Sequence, residues 1–166
     1  MVLAIAAEYN LEYWQLDYNT AFLKADVTEE VDVKMAPGCE QFDENGVPLI
    51  TSLLKSLYGL RQSPINWWNT IDQHLVEIGF KCLKSDLCVY TYSECGAIYI
   101  LTLYVDYVFL LGKYVLVLRH IKQKLMSRFS MTDMGDVSLV PGMGVIRDCE
   151  KGTVTITQEI YTKSLL

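Results

Sequence analysis

Residues 101–111 read LTLYVDYVFLL, with one carboxylate at the centre of an uncharged and mostly apolar run. Strand-forming residues flank it on both sides, so the stretch predicts a β-strand that folds back on itself around Val105, Asp106 and Tyr107. It is too short to span a membrane, and a charge at its midpoint speaks against a span as well. Desolvating an unpaired carboxylate is expensive, so Asp106 needs compensation. It sits either at an exposed hairpin tip, where Asp is an ordinary turn residue, or in a site that pairs it or binds a metal.

Working outward from this hairpin, β-type stretches are expected at 87–93 and 97–111, with a turn at SECGA between them. Upstream, QSPINWWNTIDQHLVEIGF predicts a helix with Ser63 as cap, Pro64 at the first helical position and Gly79 as its stop. Downstream, Val115, Leu118, Ile121, Leu125 and Phe129 share one side of a helix over 113–129, opposite Arg119, Lys122, Lys124 and Arg128. VSLVPGMGVIRD and GTVTITQ predict a hairpin around 150–152.

The N-terminal part reads as an amphipathic helix over 2–12, a β-type YWQLDYN, a helical turn around TAFLKADV and a β-type EEVDVKM. A polar loop follows over 36–48, and then a strand-like LITSLLKSLYG. This order predicts an α+β fold in which helices pack on one face of an antiparallel sheet, as a single domain over residues 1–166. It does not predict a doubly wound nucleotide-binding fold.

A net charge of −6 argues against a broad basic surface for gripping a phosphate backbone. Five cysteines, an odd number without a C-x-x-C pair, and two isolated histidines predict free thiols in a reducing, intracellular compartment rather than a zinc site. MVLAIAA lacks a basic flank and runs into Glu8, so no signal peptide is expected.

Asp17, in WQLDYNTAF, is a second aspartate at the end of an apolar β-type segment. Two strand-end aspartates side by side would form a hard oxygen site suited to Mg²⁺ or Mn²⁺. Spacing alone does not bring them together, since aspartates near strand ends are common.

Taken in order, QLDYNTAFL, EEVDVKMAPG, LLKSLYGLRQSPINWW, LYVDYV and FSMTDMGDVSLVPGMGV resemble successive motifs of the reverse transcriptase of copia-type retrotransposons, over nearly the whole chain. The resemblance implies a polymerase palm and RNA-directed DNA polymerase ancestry, with two Mg²⁺ (or Mn²⁺) ions as cofactors. It also implies an RNA or DNA template-primer and dNTPs as partners, with other segments of a retroelement polyprotein as further associates. By the same resemblance Asp17 and Asp106 match the catalytic, metal-binding aspartates. Phe22 matches the bulky residue that excludes a 2′-hydroxyl, and Tyr58, Gly59, Arg61 and Gln62 match the motif near nucleotide and template. Trp67 and Trp68 are expected to be packing residues.

Two positions depart from the family. Tyr107 stands where the Tyr-x-Asp-Asp turn has its second aspartate, and Pro141 stands where an apolar residue is usual. A phenol is uncharged near neutral pH and a poor magnesium ligand, so weak metal binding and little or no activity are expected. The resemblance also implies that the basic fingers upstream and much of the thumb downstream are missing. That would leave apolar surface of the first helix and the Trp67–Trp68 region uncovered. A non-catalytic interaction module or a degenerate relic is the alternative expectation.

Overall fold

The computed structural model describes residues 1–140, 142–148 and 150–165. In chain order the elements are α1 (Val2–Glu8), β1 (Glu12–Tyr18), a 3₁₀ turn (Ala21–Lys24), β2 (Asp32–Lys34), β3 (Ile50–Ser52) and α2 (Ser63–Glu77). They continue with β4 (Lys81–Cys82), β5 (Val89–Glu94), β6 (Ala97–Tyr104), β7 (Tyr107–Gly112), α3 (Val115–Arg128) and β8 (Met131–Asp136). The last are β9 (Leu139–Val140), β10 (Met143–Asp148), β11 (Thr153–Thr157) and α4 (Glu159–Ser164). The chain forms two compact units, Met1–Asn19 with Leu75–Leu166, and Thr20–His74.

The first unit is built on a six-stranded sheet of order β4-β5-β6-β7-β1-β8, antiparallel throughout. The fold is therefore α+β, as the residue pattern predicts. The β5–β6 turn places Cys95 and Gly96 at φ 53° and 70°, the pair of left-handed residues that a tight two-residue hairpin with native twist requires.

On one face, Leu101, Leu103, Val108, Leu110 and Leu16 are buried, as are Leu118, Ile121 and Leu125 of α3. The Lys122 ammonium lies 4.7 Å from the Trp14 ring centre, and Tyr18 meets Phe129 edge to face at 5.7 Å, so α3 covers this face. Each such aliphatic side chain taken out of water contributes about 1.5–3 kcal/mol.

The other face carries a smaller cluster in which Ala6 of α1 packs with Leu11, Tyr13, Leu111, Val137 and Val145. The expectation of helices on one face holds for α3 and fails for α1, which joins the three-stranded sheet β11-β10-β9 in covering the opposite side. Alternation explains it: Tyr13 and Leu111 are register partners pointing away from the α3 side and need their own cover.

The expected helix over 2–12 stops at Glu8. Asn10 takes a left-handed φ of 45°, its N–H bonds the Ala7 carbonyl at 3.2 Å, and the Leu11 N–H bonds the Ala6 carbonyl at 2.9 Å. This is the Schellman stop with asparagine in the glycine place, and the buried Leu11–Ala6 pair completes it. Gly79, at φ 102°, ends α2 in the same way, with bonds from the Gly79 and Phe80 N–H groups to the Val76 and Leu75 carbonyls.

The second unit contains the β2–β3 ladder, the polar loop between those strands and most of α2. Ser63 is not a cap: it is the first helical residue, and its buried hydroxyl donates to the Leu57 carbonyl at 2.6 Å. Strand structure in LITSLLKSLYG is limited to Ile50–Ser52. Trp67 is buried, which agrees with a packing role and contradicts the expectation that it is left uncovered. Among the described residues no helix is long and apolar enough to cross a membrane. Cys39, Cys82, Cys88 and Cys95 are in no disulfide, while Cys149 and Pro141 lie outside the described residues.

Candidate active site

β1 runs between β7 and β8, and this central position brings the two sequence-selected aspartates together. Asp17 pairs in register with Tyr107 on one side and Thr132 on the other, and Tyr107 pairs with Tyr104, so one row of the sheet reads Tyr104, Tyr107, Asp17, Thr132. Asp106 occupies the two-residue turn between β6 and β7, and its carbonyl accepts a hydrogen bond from the Tyr18 N–H at 2.8 Å.

The first residue of that turn, Val105, has φ 56°. A β-branched residue in the left-handed region is strained, and strain of this kind concentrates where the backbone must present a particular side chain. Here it sits beside Asp106.

Asp17 and Asp106 are both half-buried. Burial, and after it the nearby Asp106 carboxylate, push the Asp17 carboxyl above the usual carboxylate range. The pair thus sets two neighbouring carboxylates at one hairpin, hard oxygen donors of the kind that divalent cations prefer. Among the described residues no third Asp, Glu, His or Cys joins it in a metal-holding group. Tyr107 lies on the same face as Asp17 by register.

The remaining selected residues belong to the second unit. Phe22 is buried, and its ring meets Tyr58 at 4.5 Å between centres with a 46° tilt, so these two are brought together. Gly59 takes φ 97° with open space where a Cβ would stand, so backbone conformation and not crowding requires glycine there. Arg61 is exposed, and Gln62 is half-buried at the entry of α2, its carbonyl accepting from the Asn66 N–H at 3.1 Å.

Residue pattern did not reveal β8, so Thr132 as the register partner of Asp17 was not foreseen. The available signal was SMTD directly after the helix stop at Phe129, too short for alternation to show.

The family model described as reverse transcriptase (RNA-dependent DNA polymerase) matches residues 1–166, so the chain belongs to that family. Within it, the similar proteins are copia-type Pol polyproteins of plant and yeast transposons. The chain is 34% identical to the retrovirus-related Pol polyprotein from transposon TNT 1-94 of Nicotiana tabacum, over 99% of this chain and 12% of that protein. It is 30% identical to the corresponding polyprotein from transposon RE2 of Arabidopsis thaliana, over 100% of this chain and 11% of that protein. A putative transposon Ty5-1 protein of Saccharomyces cerevisiae is 31% identical over 88% of this chain and 46% of its own length. The chain therefore spans about an eighth of the plant polyproteins it matches. No solved structure matches.

Proposed function

We propose that residues 1–166 are the palm portion of a copia-type reverse transcriptase, with Asp17 and Asp106 as its divalent-metal ligands and Tyr107 as the lesion that impairs it. The observation that carries the reading is the placement of Asp17 on β1 beside the strained β6–β7 turn that holds Asp106, a juxtaposition with which the raised Asp17 carboxyl agrees. The ancestral reaction is template-directed addition of a dNTP to a primer 3′-hydroxyl. When bound, Mg²⁺ or Mn²⁺ would supply charge neutralisation for the attacking and leaving oxygens.

The chain's own residues then have separable tasks. Asp17 and Asp106 hold negative charge at the hairpin. The Phe22 ring, held against Tyr58, is the steric stop for a 2′-hydroxyl. Gly59, Arg61 and Gln62 lie in the segment that would meet nucleotide and template. Tyr107 contributes a neutral phenol where a third carboxylate would share the cation load.

That substitution favours a second reading, a palm that persists as a non-catalytic module associating with other polyprotein segments. Mn²⁺ titration followed by calorimetry, with primer extension in parallel, separates the two. The first reading expects weak binding that disappears in Asp17→Asn and Asp106→Asn, with little or no extension. Absence of any Asp17-dependent binding would leave the second reading. Robust extension that is lost in Asp17→Asn would show that two carboxylates suffice and that the site is not disabled.

A further inference from the structure

Two residues beyond Asp17 and just after β1, Asn19 makes a set of bonds to the start of β8 and the residue that precedes it. Its amide nitrogen donates to the Ser130 hydroxyl at 2.9 Å, its amide oxygen accepts from the Thr132 hydroxyl at 2.9 Å, and its backbone N–H donates to the Ser130 carbonyl at 3.0 Å. Thr132 is the register partner of Asp17 itself.

The pairing needs such a clamp because the β1–β8 ladder is interrupted. Gln15 pairs with Gly135 and Leu16 with Asp133, so Met134 is an extra residue and the register shifts there. Gly135 at φ 74° makes room for the bulge. Beyond the bulge only Leu16, Asp17 and Tyr18 remain paired to β8. On the β7 side, the Tyr18 N–H bonds the Asp106 carbonyl. At such a ladder end, side-chain bonds just beyond Tyr18 add to the burial of Leu16 and Tyr18 in keeping the strand from opening locally.

We propose that Asn19 is a positioning residue: through Ser130 and Thr132 it locks the end of β1 so that Asp17 is held against the Asp106 turn. The inference rests on the reading of Asp17 as a site carboxylate, but its first test does not need a metal. An asparagine suits the task because one side chain both donates and accepts, bonding two hydroxyls on alternate residues, Ser130 just before β8 and Thr132 within it. Neither alanine nor a carboxylate can do both.

The test is amide hydrogen exchange on the intact chain, wild type against Asn19→Ala. The Tyr18 N–H should exchange about tenfold faster in the variant, while the Leu103 N–H, bonded to the Cys88 carbonyl, keeps its rate. The double variant Ser130→Ala with Thr132→Val should reproduce the effect and add nothing to Asn19→Ala, whereas Thr132→Ser should preserve the wild-type rate. Mn²⁺ affinity, measured by calorimetry, should fall about tenfold in Asn19→Ala, the size expected for residues that orient a ligand. An unchanged Tyr18 rate, or equal acceleration at Tyr18 and Leu103, would overturn the proposal by showing no clamp or a merely global effect. If wild type binds no Mn²⁺ through Asp17, the polymerase reading fails, and the exchange rates still decide whether Asn19 holds the strand.

Discussion

Asp17 and Tyr107 face each other as register partners across the β1–β7 ladder. Directly opposed side chains on neighbouring strands are the closest cross-strand neighbours, so a change at position 107 acts directly on Asp17. A phenol there leaves Asp17 with Asp106 as its charged neighbour.

Replacing Tyr107 by aspartate should therefore tighten Mn²⁺ binding about tenfold or more in calorimetry, while lowering the melting temperature without metal through like-charge repulsion of about 1 kcal/mol. Tyr107→Phe should leave metal affinity as it is, because the phenol oxygen is not a ligand in this reading. Equal affinities in Tyr107→Asp and wild type would refute the assignment of Tyr107 as the lesion.

The pH dependence follows from the raised Asp17 carboxyl. The folded state holds the Asp17 proton more tightly than the unfolded chain, so stability is greatest below the ordinary carboxylate pKa of about 3.9 and declines as pH rises through the raised value. Asp133, held below the usual range by its hydrogen bond from Lys122, works in the opposite sense and loses its contribution as pH falls. Comparing wild type with Asp17→Asn at each pH cancels the Asp133 effect. The variant should gain melting temperature relative to wild type on going from about pH 3.5 to 7, and a constant difference would count against a perturbed Asp17.

Val105 tests the strain at the turn. Val105→Gly removes the left-handed penalty and should stabilise the fold by about 1 kcal/mol in urea denaturation. A loss of stability would mean that contacts of the valine side chain outweigh its backbone strain.

Gly112 tests the packing beneath α3. A Cβ at this position would run into the buried Tyr99 ring and come within 3.1 Å of Leu118 Cδ2. Gly112→Ala should cost about 1–3 kcal/mol, read from the shift of the urea midpoint at unchanged slope. Gly96→Ala, with nothing near its Cβ, should cost mainly the φ 70° strain.

Much of this protein is legible from local chemistry. The hairpin strands, α2 and α3 follow from apolar period and from Gly79, because periodicity and stop signals act over a few residues. Asp17 and Asp106 were candidates through the resemblance of the ordered motifs to a known family, which local sequence carries, while spacing alone did not set them apart. Asn10 is a stop signal as well, a weaker one because asparagine fills the left-handed position less often than glycine.

Tertiary structure decided what depends on partners distant in sequence. Strand order placed β1 between β7 and β8, and only that order makes Tyr107 and Thr132 the neighbours of Asp17. It also put α1 on the face opposite α3, because Tyr13 and Leu111 alternate outward there and must be covered. The bulge at Met134 and the Asn19 clamp that closes the strand beyond it link residues more than a hundred positions apart. No window of local sequence contains both sides of such a contact, so the row in which Asp17 sits exists only once the sheet has formed.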